Sequence, residues 1–312
     1  MNAIQITALH KNYGQVKALD GLDLEVPAGS VFGFLGPNGA GKTTTLRILA
    51  GLAKQTSGTV ELNGQNLSAF QVSKLIGYLP EEPAFYPWMT PLEYLNFVGS
   101  LFGLDTKTNK ARSEELLELT GLKEVRKRRI GGFSRGMRQR LGLAQALVNH
   151  PTVLLLDEPV SALDPMGRKE ILEMIEGLGK DYTVVMSSHI LADVERVCDT
   201  VAILNEGKRI IQADRNELME RYASPALELE FGNGYIDAMD EIEAAIMQLS
   251  SIQKVQRAGH VLGLAVKDID EAQTEVLKLA LARNWHFERL DVVKPSLEEV
   301  FVRLVEKKGS SK

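Results

Sequence analysis

The stretch GPNGAGKT, Gly36–Thr43, restricts the fold of this chain more than any other segment. It fits Gly-x-x-x-x-Gly-Lys-Ser/Thr, and its flanks are those the pattern requires. The apolar run VFGFLG before it reads as a buried strand, and KTTTLRILAGL after it has helical spacing. In a glycine-rich turn between a strand end and a helix start, backbone N–H groups can wrap phosphate oxygens. Gly36, Gly39 and Gly41 supply the turn, Pro37, Asn38 and Ala40 fill it, and Thr44 continues into the helix. Lys42 brings a point charge for the β- and γ-phosphates, and the Thr43 hydroxyl can ligate Mg2+. The segment reads as a nucleoside-triphosphate site.

A second run, VLLLDE, completes that reading. Its apolar residues suit a strand covered on both faces, ending in acids at the C-terminal edge of a sheet. Asp157 is expected to hold Mg2+, and Glu158 to polarise the attacking water as general base. The bland alternative is a pair of acids that merely solvates a strand end.

Strands alternate with helices along the first two thirds of the chain, implying an α/β core with a largely parallel sheet. AIQITAL and GLDLEV alternate earlier and suggest an added antiparallel β subdomain. Composition shifts near Ala223–Pro225, and strand, helix, strand, strand, helix, strand follows, the ferredoxin-like order. The expected domains are 1–222 and 226–307, with a tail at 308–312. Within that second domain, helices are expected over Asp237–Leu249 and Glu271–Asn284, and a last one in PSLEEVFVRLVEK.

The segment YLPEEPAFYPWMTP, Tyr78–Pro91, carries four prolines and cannot continue a helix or a central strand. It reads as an ordered loop that keeps Phe85, Tyr86 and Trp88, either as core or as a contact for a partner. Thr90, Pro91 and Glu93 spell a capping box at the following helix.

Charge and composition narrow the function. A net charge of −5 and a pI near 5.7 argue against a dedicated nucleic-acid binder. The basic cluster KEVRKRR, Lys123–Arg129, reads as a solvated face balanced by the preceding acids. The single cysteine, Cys198, reads as a small buried hydrophobe and suits a reducing compartment. No apolar run approaches membrane-span length, and the N-terminus lacks a signal-peptide core, so a cytoplasmic chain is expected.

Further motifs, in order, give a specific resemblance. FSRGMRQRL resembles the signature motif of ABC ATPases, SALDP their D-loop, and SSHIL places His189 at their switch histidine. Tyr13, in KNYG, sits where that family stacks an aromatic ring on adenine. The resemblance spans residues 1 to about 222 and implies a P-loop NTPase of the ABC ATPase type, with ATP and Mg2+ as its ligands. It implies nucleotide contacts from Tyr13, Ser134, Gly136 and Asp164, and a γ-phosphate sensor at His189. The signature here reads Ser134-Arg135-Gly136-Met137 where the family has Ser-Gly-Gly-Gln. Glu81 stands where the family most often has a metal-sensing glutamine. A carboxylate there can ligate Mg2+, and should make activity more strictly metal-dependent.

The family mechanism implies an ATP-sandwiched dimer of two copies, and a separate membrane permease contacted through Glu82–Trp88. The expected function is ATP hydrolysis that drives transport, in the direction of export, at the inner face of the cell membrane. The alternative is a non-transport ABC ATPase, acting as a soluble regulator or on a nucleic-acid or ribosomal partner. Only 157 − 42 = 115 residues separate Lys42 from Asp157, which leaves no room for the long coiled coil of DNA-repair relatives. The closing PSLEEVFVRL resembles the tail of ATPase subunits paired with type-2 permeases.

Overall fold

The computed structural model describes residues 1–66, 68–161, 163–222 and 225–293. The chain divides into two compact units, Met1–Arg215 and Asn216–Lys312.

Alternation shapes the start of the first unit. β1 (Asn2–Tyr13) and β2 (Val16–Pro27) pair antiparallel and turn Ile4, Ile6, Leu22 and Leu24 inward. β3 (Val31–Leu35) then runs through Gly36–Gly41 into α1 (Lys42–Leu49), and β4 (Ser57–Leu62) returns to pair with β1. The resulting antiparallel sheet, ordered β2-β1-β4, shares one apolar cluster with α1 and the central sheet.

The central sheet adds β5 (Ile76–Leu79), β6 (Val153–Asp157), β7 (Thr183–Ser188), β8 (Thr200–Asn205) and β9 (Lys208–Asp214). Its order is β5-β6-β7-β3-β8-β9, parallel throughout except for β9. β3, β6 and β7 are buried at every position, as strands covered on both faces must be. This order sets the ends of β3 and β6 on either side of β7.

α2 (Ala69–Leu75), α3 (Pro91–Leu101), α4 (Thr106–Leu119) and α5 (Arg135–Leu147) belong to this unit, as do α6 (Pro165–Leu178) and α7 (Leu191–Val197). α8 (Arg215–Tyr222) straddles the division between units. The capping box of α3 forms as its sequence predicts: Thr90 Oγ1 accepts from the Glu93 amide, and Glu93 accepts from the Thr90 amide. α2 was not anticipated, although Ser68 and Gln71 make the same reciprocal cap. The basic cluster is a solvated face: Lys123 lies 2.9 Å from Glu118, and Arg126 lies 3.8 Å from Glu114.

In the second unit, β10 (Ala226–Phe231), α9 (Met239–Ile246), β11 (Ile252–Ala258), β12 (Val261–Val266), α10 (Ile269–Arg283) and β13 (Phe287–Val293) follow in turn. The all-antiparallel order β11-β12-β10-β13 is ferredoxin-like, around Leu227, Leu229, Phe231 and Leu264. α9 is shorter than the predicted Asp237–Leu249 at both ends: its approach is a 3-10 turn over Asn233–Ala238, and it stops at Ile246. α10 stops where Asn284 adopts a left-handed φ of 55°. The predicted terminal helix and tail lie outside the described residues. Among the described residues, no helix is long and apolar enough to cross a membrane.

Cys198, just past α7, is buried, and burial raises its thiol far above the reactive range. It packs with Val194 against β3 at Gly33. A Cβ there would come 2.3 Å from Val194 Cγ1 and 3.1 Å from Cys198 Sγ. Gly33→Ala should therefore cost about 1–3 kcal/mol by overpacking, read as a lower Tm in thermal denaturation. An unchanged Tm would show that Val194 moves aside freely.

Candidate active site

The loop before α1 takes its shape from its glycines. Gly41, the residue before the helix, has φ 105°, and a Cβ on it would sit 2.8 Å from the Ala18 carbonyl. Gly39 has φ 82° and open space around it. Pro37 and Asn38 are exposed, Ala40 is buried, and Thr43 and Thr44 are half-buried in the first turn. No side chain caps α1 and its first turn holds no acid, so its leading N–H groups and dipole act on whatever enters the loop.

Lys42 is buried beneath this loop. Its ammonium donates to the Gly36 carbonyl at 2.7 Å and lies 3.3 Å from Glu158 Oε1. The second Glu158 oxygen, Oε2, is 2.8 Å from His189 Nδ1. Lys42, Glu158 and His189 thus form one continuous polar chain. The two acids sit at the end of β6, Asp157 2 % and Glu158 7 % exposed, so both need partners. Asp157 Oδ1 accepts from Thr43 Oγ1 at 3.0 Å and from Ser187 Oγ at 2.8 Å. Its Oδ2 is 3.4 Å from the Tyr78 hydroxyl. Burial, followed by the Asp157 charge, pushes the Tyr78 phenol up to about 12, so it stays protonated.

Sequence reasoning missed Ser187 and Tyr78. Both are hydroxyls near the ends of the strands flanking β6, and only the register brings them to the site: Asp157 is paired with Ser187, and Leu155 with Tyr78.

The other expected residues make their contacts outside the linked Lys42–Glu158–His189 group. Ser134 caps α5, its Oγ accepting from the Met137 amide at 3.3 Å, and Gly136 lies in the first turn. Arg135 is 3.9 Å from Glu82, and Met137 is half-buried. Asp164 precedes α6, exposed and without a capping bond. Tyr13 is 50 % exposed, with the Lys11 ammonium 4.6 Å from its ring centroid. Glu81 is exposed and accepts from Ser161 Oγ at 3.3 Å, and its carbonyl accepts from Gln139.

Among the described residues, no three carboxylate, histidine or cysteine groups cluster to hold a metal unaided. The Thr43 hydroxyl and Asp157 carboxylate, 3.0 Å apart, are hard oxygens. Such a sparse pair fits Mg2+, which keeps waters and takes ligands from substrate phosphates.

The aromatic loop divides in two. Phe85 turns inward, edge-on to Tyr94 at 5.1 Å. Tyr86 and Trp88 are 44 % and 64 % exposed and group with Phe97. The Pro87 and Met89 carbonyls accept from the Gly131 and Ile130 amides, which pins the loop.

A model of the ABC transporter family matches residues 19–161, and one of the DrrA1-3-like ATP-binding protein C-terminal domain matches residues 214–305. The chain is 39 % identical to YxlF of Bacillus subtilis, an ABC transporter ATP-binding protein, over 97 % of its own length and 99 % of the relative's. The chain belongs to the ABC transporter ATP-binding proteins. It is also 33 % identical to the daunorubicin resistance ATP-binding protein DrrA3 of Streptomyces coeruleorubidus, covering 97 % of this chain and 96 % of that one. The dimeric bacterial ABC transporter cassette MJ0796 superposes with a TM-score of 0.62 at 25 % identity, covering 68 % of this chain and 98 % of that one. The ABC cassette fold expected from the motifs is therefore the fold present, and this family member is an ATP-binding, ATP-hydrolysing transport subunit.

Lys42→Met would strand the Glu158 carboxylate in a buried site and should lower stability by about 3 kcal/mol. Adding Glu158→Gln to the same chain should restore most of that loss and leave ATPase activity absent. Denaturant titration of both variants measures the coupling. Additive losses would show that the pair is not coupled.

Proposed function

We propose that this chain is the ATPase subunit of an exporter, working as an ATP-sandwiched pair on a separate permease at the inner face of the cell membrane. One observation carries the ATPase assignments: Lys42, Glu158 and His189 are linked beside the Thr43–Asp157 pair. The export direction is supported by the DrrA-like C-terminal domain and the resistance role in the name of DrrA3. The family gives no support to a soluble regulator or a nucleic-acid partner.

In this reading, the loop amides and Lys42 bind the β- and γ-phosphates, and Tyr13 stacks on the adenine. Thr43 and Asp157 hold Mg2+, with Glu81 close enough in sequence to the same edge to join them. Bound there, Mg2+ would offset phosphate charge. As a phosphate takes over the Lys42 ammonium, the Glu158 carboxylate is released to face the attacking water. Glu158 accepts the water's proton as its oxygen bonds the γ-phosphorus and the bond to the bridging oxygen breaks. His189 holds the Glu158 carboxylate in place and senses the γ-phosphate. Ser134, Gly136 and Asp164 act across the pair, where Ser134 and the leading amides of α5 offer donors to the second copy's γ-phosphate.

Glu158→Gln should bind ATP, dimerise and fail to turn over. Size-exclusion chromatography with ATP and a phosphate-release assay test this, and wild-type hydrolysis by the variant would remove Glu158 as the base. The exposed Tyr86, Trp88 and Phe97 rings fit the permease contact at Glu82–Trp88, since aromatic anchors dominate such interfaces. Trp88→Ala should leave ATP binding intact and weaken co-purification with the permease. An undiminished complex would assign the ring to the fold instead.

A further inference from the structure

Asp157 is approached by three hydroxyls, and their distances separate their roles. Tyr78, at 3.4 Å, is beyond a good O–H···O bond. Thr43, at 3.0 Å, is itself a metal-ligand candidate. Ser187, at 2.8 Å, is the closest of the three and is fully buried on β7. Its Oγ also accepts from the Glu158 amide at 2.9 Å. A hydroxyl has one proton, and here geometry directs it at Asp157, because the second contact is with a donor.

The Glu158 backbone makes that second bond consequential. Glu158 has φ 46°, in the left-handed region that a non-glycine residue enters at a cost of about 1–3 kcal/mol. The bond from its amide to Ser187 helps to hold this conformation, which aims the side chain between Lys42 and His189. One hydroxyl on the neighbouring strand thus fixes the carboxylate of Asp157 and the backbone of Glu158 together.

We propose that Ser187 is a positioning residue for ATP hydrolysis, setting the relative orientation of the metal-holding carboxylate and the general base. This rests on the assignment of those roles to Asp157 and Glu158. Fully buried, with its hydroxyl bonded to Asp157 and to the Glu158 amide, Ser187 acts through these two residues. Its loss should therefore weaken turnover and the response to Mg2+ while sparing metal-free nucleotide binding.

The test uses the full chain with Ser187→Ala, Ser187→Thr and, as reference, Glu158→Gln. Ser187→Ala should lower kcat by about 10–100-fold, the range for residues that orient metal ligands, with KM for ATP within about twofold. The Mg2+ concentration for half-maximal binding of a fluorescent ATP analogue should rise about tenfold, while binding in EDTA is unchanged. Ser187→Thr, which keeps the hydroxyl, should recover most of both losses. An unshifted Mg2+ half-point in Ser187→Ala overturns the proposal, whatever happens to Tm. So does a kcat equal to wild type, or a threonine variant that folds yet is as impaired as alanine. If Glu158→Gln itself hydrolyses ATP, the base assignment falls. If it does not and Ser187→Ala behaves as wild type, only the role of Ser187 falls.

Discussion

The buried pairing of Lys42 with Glu158 is the contact on which the site depends. The two residues are far apart in sequence and meet because β3 and β6 flank β7 in a parallel sheet. Neither charge is stable alone at that depth. Each is therefore shared: Lys42 with the Gly36 carbonyl, Glu158 with His189. The carbonyl satisfies an ammonium proton without neutralising it, so the cation remains available to a phosphate. A site built this way pairs its charges while leaving each with a second partner.

The degree to which this was legible in the sequence followed the physics of each residue. Gly36–Thr43, Asp157 and Glu158 are adjacent in sequence to the strand ends that place them, so spacing and flanking pattern suffice. The Thr90–Glu93 cap is likewise local and was readable. Ser187 and Tyr78 were not, because their partner lies on another strand and only sheet order and register bring them to it. A serine ending an apolar strand carries no signal of its own. The entry to α9 is not distinguishable by spacing, because 3-10 turns share the apolar spacing of α-helices over so short a run. The short helix α2 went unread for a different reason: seven residues give too little periodicity, leaving its cap as the only clue.

The proline-rich loop shows how one segment can serve two environments. Its carbonyls at Pro87 and Met89 accept from Gly131 and Ile130 respectively, just before the signature helix α5. Phe85 anchors it from within, whereas Tyr86 and Trp88 remain at the surface. The same loop begins at Glu81, whose carbonyl is held by Gln139 of α5 and whose carboxylate meets Ser161. A displacement of those outer rings would therefore be felt just before α5, at Gln139 in its first half and at the loop after Glu158, through bonds rather than through space.

Glu158 combines a side chain that must be charged with a backbone conformation that suits glycine or asparagine. At this position, backbone preference and side-chain pairing point to different amino acids. The backbone alone would favour a smaller or amide residue, whereas the buried Lys42 ammonium and the chemistry both require the carboxylate. A chain that retains glutamate here carries, in its backbone, a signature of being kept active.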